Sequence, residues 1–240
     1  MASKTSKNSE KDGNLSTRDT FSIKDLKCKT QKQKELVKSI RKKEITICSG
    51  SAGTGKTFVT LNTALRLLKE GYKKVILCKS VTSIPEEEIG FLKGNVEQKM
   101  EPFIMSYVGN LNKMLSEGVA EKLFEEKMIE VLPLAYIRGL SIDDSIIILD
   151  EAQNITMDIF KSVITRIGEH SKMIFLGDCE QVDFRTDKKK QQSALQYVTK
   201  IFADEDYVGV IEFSPEDCVR NPIIPKILDK LRNFEQQQLS

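Results

Sequence analysis

Three short stretches of this 240-residue chain combine glycine, lysine and carboxylates in patterns suited to phosphate chemistry. The first is Gly50-Ser51-Ala52-Gly53-Thr54-Gly55-Lys56-Thr57, which matches G-x-x-x-x-G-K-[ST] at every fixed position. Glycines there let the backbone turn tightly and bring its amides to phosphate oxygens, while the helix that follows adds its positive dipole end. Lys56 is expected to neutralise the β- and γ-phosphates of ATP, and Thr57 to offer its hydroxyl to Mg²⁺. The second stretch, Ile146-Ile147-Ile148-Leu149-Asp150-Glu151, is an apolar run ending in two acids. Asp150 suits a Mg²⁺ ligand, direct or through water, and Glu151 is placed to polarise a water in line with the γ-phosphate. The alternative is a strand end capped by two solvated acids. The third, Leu176-Gly177-Asp178-Cys179-Glu180-Gln181, again ends an apolar run in a polar turn. Gln181 could contact both the γ-phosphate and the attacking water, although a Gly-Asp turn after a strand is also ordinary turn chemistry.

Charge stabilisation in phosphoryl transfer usually calls for an arginine. Arg220, in Val219-Arg220-Asn221-Pro222, ranks first, ahead of Arg138 and Arg166; a surface or ion-paired fate is the bland reading of each. With one histidine, His170, histidine metal sites and Ser–His–Asp hydrolysis are nearly excluded. The five cysteines are scattered and form no C-x-x-C pair, so neither a zinc ribbon nor a disulfide framework is indicated.

These groups need a scaffold that ends several strands on one edge. Glu44–Ser49, Lys74–Cys78, Glu130–Leu132, Ser145–Leu149, Lys172–Leu176 and Val208–Phe213 read as strands, most of them near-continuously apolar. Helical patterns lie between them over Lys56–Glu70, about Val96–Ser116, Val119–Met128, about Met157–Gly168 and Ser193–Ala203. A short amphipathic helix over Thr30–Lys43 leads in, and another over Pro222–Phe234 follows Asn221 as N-cap. Apolar strands alternating with helices predict an α/β domain, a mostly parallel sheet covered on both faces, as in RecA-like P-loop NTPases. The expected organisation is a basic, disordered segment at 1–29, an ATPase domain at 30–235 and a polar tail at 236–240.

The net charge of +2 conceals an asymmetry. Residues 1–43 carry 13 Lys and Arg against 5 Asp and Glu, so the remainder is net acidic, with 24 against 30. A basic arm of this kind can engage a nucleic-acid backbone or simply be solvated. No apolar run reaches the roughly 18–20 residues that span a bilayer, and Met1–Gly13 lacks the apolar stretch of a secretory signal, so no membrane partner and a cytoplasmic location are expected.

Seven ordered motifs extend the reading: GSAGTGKT (50–57), GFLKG (90–94), LPLAYIRG (132–139), IILDEAQN (147–154), TRIG (165–168), GDCEQVD (177–183) and CVRNP (218–222). In this order the chain resembles PhoH-like proteins over about Thr30 to Leu231. That resemblance implies an ATPase core similar to the first motor domain of superfamily 1 helicases, with Gln33 where the family has an adenine-reading glutamine. The family often has Pro after the first loop glycine and Arg-Pro after the second strand; here Ser51 and Lys79-Ser80 stand in those places. The resemblance further implies an ATP- and Mg²⁺-dependent enzyme acting with single-stranded RNA or DNA, RNA first, and a homo-oligomeric ring such as a hexamer whose neighbouring subunit completes the site with an arginine. An ATP-gated switch or scaffold, or an ATP-dependent ribonuclease drawing on the acidic run Glu86–Glu88, are the alternatives.

Overall fold

The β-strands are hydrophobic along nearly their whole length because both faces of the sheet are covered. In the computed structural model, which describes residues 17–80, 96–179 and 193–221 and scattered helical positions from 223 to 234, six strands form one sheet. They are β1 (Ile45–Gly50), β2 (Lys74–Lys79), β3 (Ile129–Pro133), β4 (Ser145–Asp150), β5 (Lys172–Gly177) and β6 (Val208–Phe213), in the order β3-β2-β4-β5-β1-β6. Every neighbouring pair is parallel. The expected α/β, P-loop architecture is therefore the one present.

Side chains alternate between the two faces, as strand geometry demands. Ile146, Ile148, Ile174 and Leu176 enter one core, which is closed by α2 (Gln31–Lys42), α3 (Lys56–Lys69), α4 (Val96–Met114) and α5 (Val119–Glu125). Ile147, Leu149, Met173 and Phe175 enter the other, closed by α6 (Leu134–Ile137), α7 (Met157–Ile164) and α8 (Ala194–Ile201). One consequence of the strand order governs the site. β5 lies between β1 and β4, so the turn after β5 opens between the glycine-rich loop and the acidic pair.

The N-terminal boundary differs from the expected one. Residues 17–29 pack on the body, beginning with the short helix α1 (Thr17–Thr20). Phe21 is 4% exposed within the first core, and the Lys69 ammonium lies 5.1 Å from its ring centre while donating to its carbonyl oxygen at 2.6 Å. The Lys24 amide donates to the Met114 carbonyl at 2.8 Å, and Asn62 Nδ2 donates to the Lys24 carbonyl at 3.2 Å. A polar, lysine-rich composition masked this, because one buried aromatic and a few backbone bonds suffice to dock a short segment. Residues 1–16 and 236–240, the GFLKG motif and the run Glu86–Glu88 lie outside the described residues.

Phe21→Ala should lower unfolding free energy by about 3 kcal/mol, the usual cost of emptying a buried phenylalanine site. Chemical denaturation measures it, and an unchanged midpoint would mean that the segment is not docked.

Candidate functional site

The phosphate loop after β1 and the acidic pair after β4 sit at the carboxyl ends of parallel strands, where α/β sheets hold their ligands. Gly50 closes β1 with φ +142°, and a Cβ there would lie 2.5 Å from Cβ of Phe213 on β6, so only glycine lets the chain turn away from the sheet at this point. Five residues later, Gly55 is the N-cap of α3 with φ +85°, where a Cβ would meet Gln33 Nε2 at 2.9 Å. Between them Ser51, Ala52, Gly53 and Thr54 make the arch. The Lys56 ammonium spans its mouth, donating to the Gly50 carbonyl, to the Ser51 carbonyl at 2.9 Å and to Thr54 Oγ1 at 3.4 Å.

Thr57, in the first turn of α3, donates to Asp150 Oδ2 at 3.4 Å, which joins the loop to the tip of β4. The other Asp150 oxygen accepts the Glu151 amide at 3.1 Å. Burial pushes the Asp150 carboxyl up to about 6, and the neighbouring Glu151 charge adds to the rise. Glu151 itself has left-handed backbone, φ +57° and ψ +38°, a conformation that costs a non-glycine residue roughly 1–2 kcal/mol and turns its side chain out of the strand line. Its carboxylate accepts from Gln153 Nε2 at 2.8 Å and lies 3.8 Å from the Lys79 ammonium. Gln153 is buried, and its carbonyl oxygen accepts the Asp178 amide at 3.0 Å. One amide side chain thus ties the acidic pair to the turn after β5.

The hard-oxygen donors Thr57 and Asp150 fit Mg²⁺, which keeps several waters and needs only one or two protein ligands. A half-buried acid whose ionisation is opposed by a second acid is also the environment that a divalent cation relieves. No group of three or more His, Cys, Asp and Glu residues that could hold a metal ion occurs among the described residues.

These groups open onto a cleft of about 600 Å³ lined by Ala52, Gly53, Gly55, Lys56, Thr57, Asp150, Glu151, Asp178, Gln33 and Arg220. The Gln33 amide is engaged at both ends: Nε2 donates to the Thr54 carbonyl at 2.9 Å and Oε1 accepts the Lys29 amide at 2.7 Å. After β6, the Val219 amide donates to the Gly53 carbonyl at 3.0 Å and delivers Arg220 to this cleft in the same chain. A neighbouring subunit is therefore not required to place an arginine here. Arg138 is exposed and does not line the cleft, and Arg166 donates to Ser162 and Thr165 on its own helix end. Gln181 lies outside the described residues.

Two parts of the wall carried no signal in the sequence. Leu26, Lys27 and Lys29 line one side, and Ser106, Tyr107, Asn110 and Lys113 of α4 line another. Neither belongs to a glycine-rich or acidic motif. By contrast, Gln153 lies inside IILDEAQN and Lys79 at the end of an apolar strand, so both stood in view without an assigned task.

A profile described as PhoH-like protein matches residues 25–232. The PhoH-like protein of Bacillus subtilis (strain 168) is 36% identical over 207 residues, 86% of this chain and 64% of that protein. The PhoH-like protein of Synechocystis sp. (strain ATCC 27184 / PCC 6803 / Kazusa) is 36% identical over 211 residues, 88% of this chain and 63% of its own length. Protein PhoH of Escherichia coli (strain K12) is 28% identical over 214 residues, 88% and 59% respectively. The chain thus spans a little under two thirds of these relatives. Among solved structures, the large terminase from a thermophilic bacteriophage aligns with a TM-score of 0.47 at 13% identity, covering 80% of this chain and 47% of that one.

The raised Asp150 carboxyl makes stability depend on pH in a defined direction. The folded chain holds this proton up to about pH 6, whereas an unfolded aspartate releases it near 3.8. Its contribution is therefore fully present below 3.8 and is lost as pH rises through about 6. Asp150→Asn should flatten that slope, raise the melting temperature of the ligand-free protein at pH 7, and remove stabilisation by Mg²⁺ with nucleotide. Thermal scans between about pH 4 and 8 measure all three; an unaltered slope would assign the titration to another group.

Proposed function

The chain belongs to the PhoH-like protein family, and from that premise we propose that it is a Mg²⁺-dependent ATPase whose cycle acts with single-stranded nucleic acid, RNA first. The observation that carries the reading is the Thr57–Asp150 contact at 3.4 Å, which joins the phosphate loop to an acidic pair in one cleft. Gly50 to Thr57 supply backbone amides and the Lys56 ammonium to the phosphates. Bound at Thr57 and Asp150, Mg²⁺ would neutralise phosphate charge. Glu151 takes a proton from the attacking water, Arg220 meets charge developing on the γ-phosphoryl group, and Gln181 senses its loss. Gln33 and the Leu26–Lys29 wall hold the base end.

Hydrolysis needs Glu151 free enough to accept that proton, and its ties to Gln153 and Lys79 give it a defined resting place. Those same ties support a second reading, an ATP-gated switch in which Glu151 seldom turns over and the Gln153–Asp178 link passes nucleotide state to the turn after β5. The nucleic-acid part rests on the excess of basic residues over 1–43 and on Lys27 and Lys29 at the cleft. A homo-oligomeric ring, such as a hexamer, belongs to the proposal as an assembly along nucleic acid rather than as a source of the missing arginine. No helix among the described residues is long and apolar enough to cross a membrane; a cytoplasmic setting is part of the proposal.

Lys56→Ala should reduce turnover by about 100-fold or more through lost phosphate stabilisation. Glu151→Gln should retain ATP binding while kcat falls by about 10²–10⁴. Arg220→Ala should lower kcat by on the order of 10³ in the isolated protein, with little change in KM. Rates measured with and without single-stranded RNA, single-stranded DNA and duplex at fixed salt separate the two readings: stimulation supports the nucleic-acid ATPase, and slow turnover indifferent to all three supports the switch.

A further inference from the structure

Helix α4 presents two stripes at once. Tyr107, Leu111 and Met114, spaced four and three residues apart, are at most 1% exposed and belong to the first core, where α4 packs beside α3, α5 and β3. Ser106, Asn110 and Lys113, shifted by one position, line the phosphate cleft. Tyr107 lies on the border between them. Its ring belongs to the core, yet it also contributes to the cleft surface together with Lys56, Lys79, Asp150 and Glu151.

The phenol end of this side chain has no counterpart in the core. The Tyr107 hydroxyl is buried and finds no hydrogen-bond partner among the described residues. Large buried tyrosines ordinarily satisfy their hydroxyl, because an unpaired one loses its hydration without return. Burial, with the nearby Asp150, Cys78 and Glu151 adding to it, holds the group well above the ordinary tyrosine range. It is therefore a neutral O–H donor on a side chain that lines the same cleft as the loop lysine, Thr57 and the two acids. A donor so placed suits an anion that arrives with its own cation, which is what a triphosphate chain is.

We propose that the Tyr107 hydroxyl donates a hydrogen bond to the terminal phosphate of the bound nucleoside triphosphate, so that α4 distinguishes triphosphate from diphosphate. The inference rests on the ATPase reading of the same cleft and adds a phosphate-contacting residue from outside the glycine-rich and acidic motifs. It also gives the nucleotide a route into the fold, since the carbonyl of Met114 at the end of α4 accepts the Lys24 amide of the N-terminal segment that walls the cleft.

The test compares wild type with Tyr107→Phe, using melting temperature without ligand, the shifts induced by Mg²⁺ with ADP or with a non-hydrolysable ATP analogue, and steady-state turnover. Phenylalanine keeps the packing and removes only the unpaired hydroxyl. The expected result is a ligand-free melting temperature equal to or above wild type, an unchanged ADP shift, and analogue affinity and kcat/KM both reduced about 10- to 100-fold, the scale of one hydrogen bond to a charged group. Equal analogue affinity and turnover in the two proteins would overturn the assignment, as would a variant that melts lower without ligand, because the hydroxyl would then have a partner inside the protein. Lys56→Ala serves as the control. If wild type itself shows neither a nucleotide-induced shift nor turnover, the ATPase reading fails and this inference with it; if wild type responds and Tyr107→Phe responds identically, only this inference fails.

Discussion

The carboxylate of Asp150 is the point at which stability and chemistry meet. It ends a strand that is otherwise buried to the last residue, it sits beside a second acid, and its contacts with the Thr57 hydroxyl and the Glu151 amide compensate only part of the lost hydration. Burial raises its pKa to about 6, so near neutral pH the ionised form is held against the preference of the fold. A protein optimised only for stability would place an amide or an apolar residue there. The strained backbone of Glu151, one residue on, points the same way.

The rest of the architecture is arranged around that tip. Parallel pairing brings the ends of β1, β4 and β5 to one edge, and the strand order sets β5 between the loop and the acids. Gln153 then spans the gap, donating to Glu151 and accepting from Asp178. Because it is buried and uses both ends of its amide, a shift of either partner leaves a polar group unpaired, so the acids and the turn after β5 are mechanically linked. A comparable joint lies on the other side of the loop, where Gln33 holds the Thr54 carbonyl and the Lys29 amide together. The loop, the N-terminal wall and the acidic pair are thus parts of one bonded assembly.

Much of this was legible in the order of residues. The strand positions hold to within a residue or so, because runs such as SIIIL and KMIFL are too apolar to lie anywhere except inside a two-faced sheet. Element ends were less readable: the helix expected to run from Met157 to Gly168 stops at Ile164, where Thr165 and Arg166 turn their side chains back onto its last carbonyls. The N-terminal boundary was misread for a related reason. Lysine-rich composition dominates any average over residues 17–29, whereas docking depends on Phe21 and a few backbone bonds that averages do not see.

By itself the sequence determined the phosphate loop, the acidic pair, the parallel sheet and the family, since each depends on residue types at short fixed spacings or on periodicity along a single element. The tertiary structure alone decided which distant groups share the cleft. It brought Arg220 to the loop of its own chain, left Arg138 and Arg166 outside, and gave Gln153 and Lys79 their partners. It also set Tyr107, whose hydroxyl has no partner among the described residues, at the boundary of the core and the cleft. The physical reason is that a local motif encodes its own backbone conformation, whereas the approach of residues far apart in the chain, such as Thr57 and Asp150, exists only once helix and sheet have been packed together.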